Sequence, residues 1–230
     1  MRFGRRSRDP EPEEEPAREP DKEPEAALDE TTDEVASPDE AAGPTAGRTT
    51  GPYDASELAD LEDRDCIDLG SLLITPAGPM EMRLQVDEET GQVMAAVLVD
   101  EQGALELRAF AAARGGDAWD ELRPRISAET ARMGGTATEE DGTFGTELVC
   151  MVPMQTPDGQ HTTQVSRVSG HQGPNWLLRA TLMGQPAVDT DTAGAWEDTI
   201  RSVVVRRGRE AIVPGAPLQL TLPPDARRVD

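Results

Sequence analysis

The sequence predicts an α+β domain, a mostly antiparallel sheet of seven to nine strands packed with two amphipathic helices, behind a disordered acidic tail. Three observations predict it. Large aliphatic residues are nearly missing before residue 50. Short apolar runs separated by turn residues dominate the rest of the chain, and two stretches carry apolar residues at helical spacing.

In residues 1–50 acidic side chains outnumber basic ones 15 to 7, and between Asp9 and Gly51 the only large aliphatic residues are Leu28 and Val35. Such a segment buries too little apolar surface to offset the entropy of ordering it. It reads as a solubilising spacer or as a binding tail for basic partners. Met1-Arg2-Phe3-Gly4-Arg5-Arg6-Ser7-Arg8 has the charge of a signal-peptide start, but Asp9, Pro10 and Glu11 come next where an apolar run is required. The expectation is therefore a cytoplasmic protein with no membrane span and with Cys66 and Cys150 as reduced thiols.

Residues 51–230 are expected to form a single domain. Ser56 ahead of Glu57, Leu58 and Leu61 fits a short capped helix at its entrance. Four strand-like runs come after it: Ile67–Ile74, Met80–Val86, Val93–Val99 and Ala104–Phe110. Turn residues at 76–79, 87–91 and 100–103 separate them, and connections this short imply antiparallel neighbours. Trp119, Leu122, Ile126 and Met133 then fall at helical spacing, with Gly134-Gly135 as the stop and Pro124 marking either a kink or the true start. Strands resume at Phe144–Val152, His161–Val168 and Asn175–Met183, with turns at Pro157-Asp158-Gly159 and across 170–174. A second helix over Thr190–Val203 places Trp196, Ile200 and Val203 on one face, towards the sheet. The segment 204–222 is proline-rich and reads as an extended wrap with one edge strand.

The blocks Gly103-Ala104-Leu105-Glu106-Leu107-Arg108-Ala109-Phe110-Ala111, Asp141-Gly142-Thr143-Phe144-Gly145-Thr146-Glu147-Leu148 and Gly173-Pro174-Asn175-Trp176-Leu177-Leu178-Arg179, with the terminal 214–223, resemble an uncharacterised actinobacterial family known only as a domain of unknown function. The resemblance covers residues 51–225. It implies no catalytic residues, and the single lysine, Lys22, against many arginines suits a high-GC actinobacterium. The element order is also similar to the Mog1/PsbP-like layout, which implies a non-catalytic binding or accessory role.

No residue set points to catalysis, a metal or a cofactor. His161 and His171 are the only histidines, and no C-x-x-C, H-E-x-x-H or phosphate-loop pattern occurs. Cys66 is flanked by acids and Cys150 lies in an apolar strand, so neither is an activated thiol. Glu139-Glu140-Asp141 and Asp87-Glu88-Glu89 read as solvated turn tips. His171, in a predicted turn with Arg167, Trp176 and Arg179 close by, is the one place for a ligand cleft. Against it stands the plainer reading of an exposed turn histidine. Arg201, Arg206, Arg207 and Arg209 run out of the second helix. They complement its dipole, or form an anion- or partner-binding patch that the acidic tail can cover in cis.

The net charge of −23 opposes nucleic-acid and anionic-membrane binding. The leading expectation is a non-enzymatic protein-binding or adaptor module whose partner is a protein. An enzyme or small-ligand protein built on the His171 cleft is the alternative, and nucleic-acid association through Arg201–Arg209 comes last.

Overall fold

The computed structural model describes residues 51–223 apart from 60 and 62. The acidic tail expected for residues 1–50 lies outside the described residues.

Alternation of apolar and polar residues builds a seven-stranded antiparallel sheet in the order β4-β5-β6-β10-β9-β8-β7. Its strands are β4 (Glu81–Val86), β5 (Val93–Val99), β6 (Gly103–Ala111), β7 (Thr136–Gly142), β8 (Gly145–Gln155), β9 (His161–Gln172) and β10 (Trp176–Gly184). A smaller mixed sheet of four short strands runs β1 (Tyr53–Asp54), β11 (Val204–Val205), β3 (Leu72–Ile74), β2 (Ile67–Asp68), with β1 and β11 parallel. The fold is α+β as the sequence predicts.

Period-two burial assigns the two faces of the large sheet. The front face carries Ala96, Leu98, Leu105, Leu107, Ala109, Trp176, Leu178, Ala180 and Leu182 in one core with Leu69, Leu72, Ile74, Trp196, Ile200 and Val205. The helix α3 (Gly194–Ser202) supplies Trp196 and Ile200, each 1% exposed. Each is worth roughly 1.5–3 kcal/mol of burial. On the back face the helix α1 (Ala118–Arg132) covers only the β7–β9 end, through Trp119 against Leu148, Cys150, Val168 and Leu177.

Several expectations need correction. The run 67–74 is two strands, because Asp68 Oδ1 accepts the Gly70 N–H and Gly70 takes a φ of +80°, turning the chain at residues 69–71. At the entrance Asp54, not Ser56, is the cap, and it closes a capping box with Glu57 around a single 3-10 turn, Ala55–Glu57. Pro124 sits inside α1, whose start is set by the Asp117 side chain accepting the Asp120 N–H. The expected second helix begins as a 3-10 turn at Thr190–Thr192 and becomes α-helical only at Gly194, after a short helix α2 (Gln185–Val188). Glu139, Glu140 and Asp141 belong to the edge strand β7 rather than to a turn.

The proline-rich end is a strap. Gly215 N–H donates to Ala111 O, and Ala111 and Leu218 are tied to Ala216 and Ala109. It thereby takes the place beside the end of β6 that β5 has left, since the β5 pairing with β6 runs only over residues 104–107 of β6. Its β11 stretch is an interior strand of the small sheet, not an edge.

Candidate functional site

The two-residue loop between β7 and β8, Thr143-Phe144, folds over the front face and closes a polar cluster against α3. Thr143 Oγ1 donates to Glu197 Oε1 at 2.8 Å, and the Phe144 N–H donates to Glu147 Oε1 at 3.1 Å. Arg201 holds Glu197 at 3.1 Å and Asp198 at 2.8 Å, with its guanidinium 5.2 Å from the Phe144 ring centroid. Beneath the loop Glu147 is 2% exposed, and its Oε2 has no hydrogen bond, only Arg167 Nε at 3.7 Å. Burial pushes the Glu147 carboxyl above its ordinary value; the Phe144 N–H and Arg167 oppose this, and Glu197 adds to it.

His171 lies in this cluster, and its place corrects the sequence reading. Strand β9 continues to Gln172, so His171 is a strand residue, 8% exposed, where an exposed turn was expected. The cause is Gly170: the Trp119 indole rests on its backbone where any Cβ would collide, so this glycine serves packing inside a strand and not a turn. Ser169 Oγ and His171 Nε2 are 3.0 Å apart, and the Phe144 ring meets the imidazole edge-on with centroids 4.6 Å apart. A Ser–His contact is the first half of a nucleophile arrangement. Here both residues are buried beneath Phe144, with Ser169 5% exposed.

Of the other predicted residues, Arg167 and Arg201 belong to the same cluster as His171, through Glu147 and Phe144, and the rest lie elsewhere. Trp176 is fully buried in the front core, its indole N–H donating to Asp54 Oδ2 at 2.6 Å. Arg167 shares the front face. Arg179 pairs with Gly170 while its neighbour Leu178 pairs with His171, which sends the Arg179 side chain to the back face. The terminal arginines are also dispersed: Arg206 binds both Asp68 oxygens at 3.1 Å and Gly70 O at 2.8 Å, Arg207 donates to Glu210 O at 2.5 Å, and Arg209 is exposed. A depression of about 220 Å³ between residues 91–93 and 219–222 shares no residue with the cluster.

The back face of β5, β6 and β10 holds a second arrangement. Beyond Gly170, where α1 ends its cover, Val97, Val99, Phe110, Thr181 and Met183 are half-exposed. Among them Arg108 and Arg179 stand directly opposite each other. Arg179 bonds Glu106 Oε1 at 2.7 Å and lies 5.9 Å from the Phe110 ring centroid, while its Nε is buried without a partner. Arg108 donates from Nε to Met94 O at 3.1 Å, and among the described residues it has no carboxylate within ion-pair distance. Burial and the Arg179 charge hold Arg108 below the ordinary arginine value, with Glu106 opposing. Sequence reasoning missed Arg108. Its only signal is the alternation in Leu105-Glu106-Leu107-Arg108-Ala109-Phe110, which puts it on the outward face without saying what lies opposite.

A family model described as a protein of unknown function (DUF3710) matches residues 51–229. No curated protein matches the chain. A crystal structure from Bacteroides thetaiotaomicron VPI-5482 is similar over 60% of this chain at 18% identity with a TM-score of 0.33, and the chain spans about half, 49%, of that structure's length. Among the described residues no helix is long and apolar enough to cross a membrane, and no group of three or more His, Cys, Asp or Glu side chains is placed to hold a metal ion.

Proposed function

We propose that this chain, which belongs to the DUF3710 family of proteins of unknown function, is a non-enzymatic protein-binding module of the cytoplasm whose partner docks on the back face of β5, β6 and β10. The observation that carries this reading is half of a large sheet that no helix among the described residues covers. The same three strands that bury Leu98, Leu107 and Leu178 on the front leave Val97, Val99, Phe110, Thr181 and Met183 half-exposed side by side on the back. A contiguous, partly apolar sheet face of this kind is a surface that partners use. The burial of Ser169 and His171, 5% and 8% exposed beside Phe144, argues the same way.

Comparative capture from native lysate tests it. Full-length protein is expected to retain a stoichiometric partner that Met183→Glu loses while keeping the wild-type circular dichroism spectrum. Equal retention by the variant would refute docking on this face.

A further inference from the structure

The back face carries one more feature than a docking surface requires: two arginines directly opposite each other on neighbouring strands, with one carboxylate, Glu106, bonded to Arg179. Like charges directly opposite on neighbouring strands repel, and a half-buried cation without a counter-ion is unfavourable. Most of the described arginines avoid this situation, and half-buried Arg207, which lacks a carboxylate among the described residues, instead donates to the backbone oxygen of Glu210. Arg83, Arg123, Arg132, Arg167, Arg201 and Arg206 each have a carboxylate within 4.0 Å, and Arg179 has Glu106. Among the described residues, Arg108 is the half-buried arginine of the large sheet that has none, although acids outnumber bases 30 to 15 over residues 51–230. In so acidic a chain, an arginine left without an acid of its own is suited to take one from a ligand.

We propose that Arg108 and Arg179 form a carboxylate-binding site on the back face, occupied by a glutamate or aspartate of an acidic segment of the protein partner. This rests on the docking reading above. A planar guanidinium takes a carboxylate through two parallel N–H···O bonds, and the apolar neighbours Val97, Val99 and Met183 suit a segment in which acidic and aliphatic residues alternate. Nucleic acid fits less well: two arginines, one of them already bonded to Glu106, suit a single carboxylate, whereas a phosphate backbone is held by a run of cations that the described residues of this face lack.

The full-length protein is titrated with an acetylated and amidated peptide alternating valine and glutamate, while the guanidinium Nε–H signals of Arg108 and Arg179 are followed by NMR. Both signals are expected to shift saturably, and the glutamine analogue of the peptide to leave them in place. Arg108→Gln weakens peptide affinity about tenfold or more, and Arg209→Gln leaves it unchanged. No saturable shift, or an equal response to the glutamine analogue, would overturn the site. So would tighter binding of a single-stranded DNA oligonucleotide. Capture separates the two claims. A partner lost with Met183→Glu but kept with Arg108→Gln removes the carboxylate site and leaves docking intact, whereas peptide recognition without any Met183-dependent partner does the reverse.

Discussion

Leu178 pairs with His171 across the β9–β10 ladder, and that pairing puts His171 and Arg179 on opposite faces of the large sheet. Between them lies the full thickness of the sheet, so no single ligand reaches both. The front face, with Ser169 and His171 closed under Phe144, is a packed polar cluster rather than a cleft. A fluorophosphonate probe is accordingly expected to leave the protein unmodified. Mass-spectrometric detection of a Ser169 adduct would reinstate the enzymatic reading.

Glu147 gives the cluster a pH signature. Its carboxyl is raised above 4.5 by burial, so the folded protein holds this proton at pH values where the unfolded chain has lost it. Its contribution therefore favours folding below pH 4.5 and fades as pH rises through the folded-state value. In urea denaturation across that window, the stability of Glu147→Gln minus that of wild type is expected to increase with pH. A flat difference would show that Glu147 ionises in the fold as it does in the open chain.

Gly170 has no room for a side chain. Gly170→Ala must displace the Trp119 indole, which also donates from Nε1 to Thr146 O at 2.8 Å, and is expected to cost about 1–3 kcal/mol or more. Denaturant midpoints check this. An unchanged midpoint would mean that α1 moves freely on the sheet.

Asp54 joins the small sheet to the core by capping the 3-10 turn with one oxygen and accepting the buried Trp176 indole N–H with the other. Asp54→Ala leaves that donor unpaired and removes the cap, an expected loss of about 1–3 kcal/mol in the same assay. Stability within a few tenths of wild type would contradict the contact.

Much of this architecture is legible in the sequence. Val93–Val99 has the predicted bounds, and the Trp196, Ile200 and Val203 stripe faces the core as expected. The features that were not legible have physical causes. Strand β7 reads Thr136-Ala137-Thr138-Glu139-Glu140-Asp141-Gly142, an edge strand largely exposed to water, so no hydrophobic alternation marks it. Gly170 looks like a turn because the sequence does not reveal the indole lying on it. The Arg108–Arg179 juxtaposition depends on β6 and β10 becoming neighbours, although α1 and three strands separate them along the chain. Local periodicity gives each arginine its face but not its opposite number.

Chemical protection of the back face tests the docking surface most directly. In Thr181→Cys the new thiol lies half-exposed between the arginines and Met183, while burial pushes the native Cys66 and Cys150 thiols up and slows their reaction. Full-length protein is alkylated with a maleimide, alone and in complex with its captured partner, and the modified site is read by mass spectrometry. The expected result is rapid labelling of residue 181 in the free protein and at least tenfold slower labelling in the complex. Labelling at the same rate in both would place the partner elsewhere and contradict the docking surface.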